Sequence, residues 1–564
     1  MGLQKRLVVL VLLVLAAIPV YWLSRDLGDD PNPEEVLPPD TLIFFHWQNF
    51  ARFAEGVEQS PLAVQMQRKD FTQTLRQLGM DESSARHLEE GKALLQALQK
   101  LPFIEELVRH RGMLALLPNR SPDLDLFGSI SASLVFILPG DSSDFRKRIE
   151  NMHAGEAVVE NQEYQGTQIT LRRLTSGRTL YSCDVHGFSI HAFAFEPLRR
   201  CLDQALAYRI NGTRTADGRK SWLAEHHVAP REEGEFFFFA DAKALRAQPQ
   251  WGTTLFPLWQ GILPQQVVIS HSINGRSSGL SATLRFHPEE LGAWLHRHQL
   301  SGPAGPPLAA SQDEATLLHF WTNWFTAEAM DRLTAAINAT ELGAPLLAAG
   351  SAFLAQGSLG RDDFYQQFAT ELGLVIRGEK NLNAQLKPLF SMYFKTKDLA
   401  TVQTSLNRLF KSFPLRQMEL EHGVKATTIG MAGGMIQPAF ALLGDQLILG
   451  DNLHMVGLMA KHMRQGAEQV VPVREGRGEQ MMNRVSLYLF LRNQEIAQGT
   501  MQLLRYLATA KNEKGVVILN ARQKLFVEQI AMPAMATIGK TRSSRFFAAV
   551  QQGEARATWQ FLHE

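Results

Sequence analysis

Cysteine is nearly absent: the chain of 564 residues holds two, Cys183 and Cys201. Neither has a C-x-x-C partner, so they do not read as a metal site. No cysteine follows the apolar run at the N-terminus, which excludes a lipid-modified N-terminal anchor. An excess of one charge is also missing. Lys+Arg number 57 against 56 Asp+Glu, a net charge of +1, so electrostatics give no reason to expect nucleic acid as a partner. The chain lacks a G-x-S-x-G elbow, a P-loop, a G-x-G-x-x-G fingerprint and an H-E-x-x-H helix. It therefore names no catalytic residue, no cofactor-binding residue and no metal ligand. Beyond residue 25 there is no second apolar run of spanning length, which argues against several membrane crossings.

What is present begins at the N-terminus. Leu7 to Leu23 is apolar throughout, preceded by Lys5 and Arg6 and followed, after Arg25, by Asp26, Asp29, Asp30, Glu34 and Glu35. A helix of that length lies at the short end of what spans a bilayer. Cationic residues stay on the cytoplasmic side, and Tyr21 and Trp22 suit the headgroup region at the exit. The expectation is one inner-membrane crossing over residues 7–23, with the N-terminus cytoplasmic and the bulk of the chain periplasmic. A cleaved signal peptide fits the same basic and apolar regions. Against it, the run ends in Pro19-Val20-Tyr21-Trp22-Leu23 with no small-x-small site behind it.

The rest divides at its proline- and glycine-rich stretches. The domains read as a signal anchor over 1–25, a tether over 26–37, a first α+β half over 38–300, a linker over 301–312 and a second α+β half over 313–564. The expected fold class is α+β: one transmembrane helix, then two similar halves with largely antiparallel sheets and helices packed on them. Each half opens on an apolar strand, Thr41 to Phe50 and Thr316 to Phe325. Each continues with a strand, an aspartate (Asp141, Asp398) suited to capping, and an amphipathic helix. Phe145, Ile149 and Met152 share one face of the first such helix, and Val402, Leu406 and Leu409 one face of the second. Gly166 then matches Gly423, and Gly187 matches Gly444, at a common offset. Each half closes on a strand pair around a glycine, 266–286 and 545–561.

The same offset sets Cys183 against Phe440 and Cys201 against Leu458, so both cysteines read as core-facing, on a strand and on the helix above it. An oxidising compartment would let them pair as a disulfide. Two ordinary buried thiols are the other reading.

The stretch Leu37-Pro38-Pro39-Asp40-Thr41-Leu42, running into Ile43-Phe44-Phe45, resembles the strand lead-in of a family of bacterial signal-anchored exported proteins of unknown function. The unit Phe136 to Ile149, the hairpin Tyr164-Gln165-Gly166, the helix start Lys220-Ser221-Trp222-Leu223 and the aromatic strand Phe236 to Asp241 follow the same pattern. Trp222 replaces a small apolar residue, and Asp313-Glu314-Ala315-Thr316 lacks the proline. The resemblance implies a location and an architecture, and carries no activity.

Other candidates for chemistry read as structure. His226-His227 point apart on a helix, and His296 and His298 flank Arg297 on a solvated one. His46 and His319, in the two opening strands, fall within one residue of each other in the repeat. Glu232-Glu233 and Glu289-Glu290 suit turns and helix starts, and Asp241 suits a cap. Phe236 to Phe239 has no alternation and reads as a strand buried on both faces. Gly430 to Gly434 reads as a loop. The functional expectation is a non-enzymatic scaffold or binding module of the cell envelope, with other envelope proteins as partners. The alternative is a hydrolase-like enzyme, or a binder of an apolar ligand, with its site between the two halves.

Overall fold

The computed structural model describes residues mainly within 36–48, 58–89, 111–118, 132–139, 159–211, 236–248, 263–298, 313–326, 343–357, 366–380, 386–431, 437–466, 485–511 and 519–563. Along the chain come β1 (Ile43–Trp47), α1 (Pro61–Gln67), α2 (Phe71–Gln77), β2 (Gly112–Leu116), β3 (Leu134–Pro139), β4 (Val159–Tyr164), β5 (Thr167–Arg173), β6 (Thr179–Val185) and β7 (Phe188–Ala192). Then follow α3 (Phe195–Asn211), β8 (Phe236–Asp241), α4 (Ala242–Ala247), β9 (Gln266–Asn274), β10 (Ser277–Arg285), α5 (Pro288–Arg297), β11 (Thr316–Thr322), α6 (Gly343–Gln356), β12 (Phe368–Lys380) and β13 (Leu386–Thr396). The last are α7 (Leu399–Leu409), β14 (Leu415–Leu420), β15 (Val424–Ile429), β16 (Ala439–Leu443), β17 (Gln446–Gly450), α8 (Leu453–Gly466), β18 (Leu487–Leu491), α9 (Asn493–Thr509), α10 (Ala521–Phe526), α11 (Met532–Ile538), β19 (Ser543–Gln551) and β20 (Glu554–Leu562).

By contacts the chain forms two compact units, one of residues 1–51 and 98–258, the other of 52–97 and 259–564. In the first unit the strands run β8-β1-β2-β3-β7-β6-β5-β4, every pair antiparallel. Helix α3 lies over β6 and β7. Leu198, Cys201, Leu202 and Ala205 recur at helical spacing and are fully buried, which fixes the face α3 turns to the sheet. In the second unit the order is β18-β11-β12-β13-β17-β16-β15-β14, the same order ten strands on. There α8 covers β13 and β15 to β17, with its own Met455, Val456, Met459 and Ala460 buried. Asp398 caps α7 by accepting the Ala400 N–H at 3.1 Å, and Val402, Leu406 and Leu409 are buried along it. Asp141 and its helix lie outside the described residues.

The expected fold class is corrected in two respects. Among the described residues, the twenty strands belong to one antiparallel sheet rather than to one sheet per half. The strand pair expected to close the first half, β9–β10, lies in the second unit and pairs along its whole length with β20, from Ser277 opposite Leu562 to Arg285 opposite Glu554. A two-stranded hairpin is marginal alone. Joining β9–β10 to β19–β20 gives four strands a common ladder. Helices α1 and α2 also belong to the second unit, where the Leu62 N–H donates to Thr537 Oγ1 of α11 at 2.9 Å. No helix among the described residues is long and apolar enough to cross a membrane. The 7–23 segment expected to do so, and the 301–312 linker, lie outside the described residues.

The offset is corrected by one residue. Gly187 is the second of the two residues linking β6 to β7, whereas Gly444 is the first of the two linking β16 to β17. Cys183, opposite Ile169 and Ile190, therefore holds the place of Ala441, opposite Ala426 and Ile448. A one-residue slip in a strand turns every side chain to the other face. Ala441 lies in the core under α8, while Phe440 packs with Phe410 against α7. The same shift sets Cys201 against Met459.

Candidate functional site

The residues that the sequence offered for chemistry mostly hold the fold. Asp241 caps α4, its Oδ1 accepting the Ala244 N–H at 2.8 Å. Glu289 and Glu290 are exposed in the first turn of α5, where negative charge suits the helix dipole. His296 is exposed, and the His298 ring lies against Trp294 with centroids 4.8 Å apart. Cys183 and Cys201 are two fully buried thiols, and burial raises the Cys201 pKa. Among the described residues no group of three His, Cys, Asp or Glu side chains could hold a metal ion. His226-His227, Glu232-Glu233 and most of the Gly430 loop lie outside the described residues.

Two sequence readings change. Strand β8 does alternate: Phe237 and Phe239 are buried against Phe44, while Phe236 and Phe238 are half-buried on the side of Phe45. His46 and His319 are not near-equivalent. His46 lies opposite Phe237 and His319 opposite Phe490, and Phe237 sits four residues before the cap of α4. Counting β18 back from its own helix puts Trp321 in the place of His46 and Phe44 in the place of His319.

His319 does belong to a buried polar cluster that the sequence did not reveal. Its Nε2 is 3.1 Å from the Tyr393 hydroxyl, and its ring stands edge-on to Tyr488 at 5.4 Å. Burial, and then the neighbouring His462, push its pKa down to about 3, so the imidazole is neutral. Burial, with the charge of Glu371 and Tyr488, raises the Tyr393 phenol well above its usual value. Towards the surface, His462 Nε2 is 3.9 Å from Asp313, which Arg377 engages at 3.1 Å. Gly373 sits across from Tyr393 on β12, and a Cβ there would fall on the phenol ring, so glycine is what lets the ring lie flat over the strand. Trp321, Val375, Tyr393 and Tyr488 pack in one core. His319 is wholly shut from solvent. This is a neutral pair bracing four strands, with no access for a substrate.

The open site lies on the same sheet face, farther along. Alternation turns Ser270 and Ser272 of β9, Ser277, Gly279 and Ser281 of β10, Thr558 and Gln560 of β20 and Arg545 of β19 to one side. Register sets them in rows: Ser270, Ser281 and Thr558 in one, Ser272, Gly279, Gln560 and Arg545 in the next. They line a groove of about 220 Å³ that is open to solvent, walled at one end by Leu562. Gly279 leaves its floor without a side chain. Arg545 rests on the Phe490 ring, 5.9 Å from its centroid. At the far end of the face Glu554 accepts from both Arg285 and Arg556. The serine alternation is visible in the sequence. Its union with β19 and β20 is not.

Comparison with protein-family models, with curated proteins and with solved structures finds no match for the chain.

Proposed function

We propose that this chain is a membrane-tethered, extracytoplasmic binding module of the cell envelope. Residues 7–23 hold it in the inner membrane with the N-terminus cytoplasmic, and other envelope components are its partners. The basic pair before the apolar run and the acidic tether after it support that placement, as does the resemblance to exported, anchored bacterial proteins. The observation that carries the binding role is the solvent-open, hydroxyl-lined groove on β9, β10, β20 and β19. Among the described residues, Asp241 is engaged in a cap, Glu289 and Glu290 lie in the first turn of α5, and His319 is shut in a closed core.

Two measurements test this. The protein should stay with membranes through an alkaline carbonate wash and be cut by protease only when the periplasmic side is exposed. A mature N-terminus near residue 24 would overturn the anchor and leave export intact. In intact cells, crosslinking should give a defined product that weakens when Gly279→Val fills the groove. A crosslinking pattern indifferent to that substitution would remove the groove from the binding role.

A further inference from the structure

We infer that the groove on β9, β10, β20 and β19 receives a single sugar ring carrying one anionic group. This rests on the binding role proposed above and names its ligand. Backbone N–H and C=O groups of the inner strands β10, β20 and β19 are spent on the sheet ladders, so an extended peptide finds no pairing on this face, and recognition falls to side chains. Those side chains are mostly serine and threonine hydroxyls with the Gln560 amide. A hydroxyl both donates and accepts, as does each hydroxyl of a sugar, so neighbouring rows can match a ring's vicinal pattern in either direction. A volume of about 220 Å³ suits one ring and is below the usual range for larger ligands. Leu562 supplies an apolar wall for the ring's C–H edge.

The charge follows from Arg545. It is the charged side chain lining the groove, the lining holds no carboxylate, and no ion pair joins Arg545 to an acid among the described residues. Its guanidinium is held against Phe490, which orders it before a ligand arrives. A guanidinium presents a fork to a carboxylate or a phosphate ester alike.

Gly279 provides a clean block. Its backbone needs no left-handed conformation, and a Cβ there meets only Ser272 Oγ at 3.5 Å and the Trp559 carbonyl at 3.9 Å, ordinary contacts. Gly279→Val therefore fits the strand while its methyls fill the floor of the groove.

The full chain in detergent micelles is titrated with glucuronate, glucose 6-phosphate and glucose, followed by saturation-transfer NMR. At least one anionic sugar should bind about tenfold more tightly than glucose, and which one does separates a carboxylated from a phosphorylated ligand. Arg545→Gln should erase that preference, bringing the anionic sugars level with glucose. Gly279→Val, with an unaltered unfolding temperature, should abolish binding of all three. Anionic sugars binding no better than glucose, or not at all, while Gly279→Val still weakens the envelope crosslink, would overturn the ligand and spare the binding role. Gly279→Val changing neither would overturn both.

Discussion

Gly373→Ala is expected to be among the most damaging single-methyl additions in the second unit. Gly373 of β12 lies opposite Tyr393 of β13, and a Cβ on it would coincide with the phenol at Cζ, Cε1 and Oη. Tyr393 is fully buried, so the ring has no free volume to swing into. If it is expelled, the loss resembles truncation of a buried aromatic, about 3–5 kcal/mol. The His319 Nε2 also loses its partner at 3.1 Å, for about 1–3 kcal/mol more. The two losses overlap, so about 4 kcal/mol is a fair figure against a typical total of about 5–15 kcal/mol. Urea unfolding followed by tryptophan fluorescence reads it, because Trp321 shares that core. The decisive comparison is a cycle with Tyr393→Ala. Once the ring is gone, Gly373→Ala should cost nothing or gain about 0.5–1 kcal/mol from the stiffer strand. The reasoning fails if Gly373→Ala costs less than about 1 kcal/mol alone, or the same with and without Tyr393.

Acidification should weaken the fold between pH 6.5 and about 3 through His319. The unfolded imidazole takes a proton below its ordinary value while the buried one, with its pKa near 3, does not, so its contribution is complete above pH 6.5 and is lost as pH falls towards 3. The slope from this one group is about 1.4 kcal/mol per pH unit, and His319→Phe should remove it in stability-versus-pH titrations. His462, whose pKa burial also lowers, adds to the slope in the same direction. Asp241→Ala should cost about 1 kcal/mol by freeing the Ala244 N–H, and Asp241→Asn much less, as measured by chemical unfolding. Gly423, at φ +72°, should lose about 1–2 kcal/mol on change to alanine, and a neutral result would mean that the β14–β15 turn had been misread.

The parts legible in the sequence are those decided within a few residues. Asp241 and Asp398 precede helices and cap them, because an N-cap needs only its own next turn. The stripe at 198, 201, 202 and 205 announces which face of α3 is buried. Gly166 and Gly423 mark hairpins because both adopt a left-handed conformation. Even there, counting from glycines misplaced Cys183 by one position. The two-residue turns at Gly187 and Gly444 put glycine in different slots, and a strand converts one residue into the opposite face.

Tertiary structure decided what local pattern cannot encode. Which strand takes the free edge of β10 depends on partners hundreds of residues away. The answer, β20, moved the 266–286 hairpin out of the first half and, with β19, turned scattered serines and one arginine into a single lining. Likewise, nothing near Leu62 points to Thr537, or near His319 to Tyr393 and His462. The sequence by itself determined the neutral charge, the single apolar run at the N-terminus, the caps and the turns. The groove and the buried histidine exist only once distant strands have chosen their register, because each is built from residues that share a face without sharing a neighbourhood in the chain.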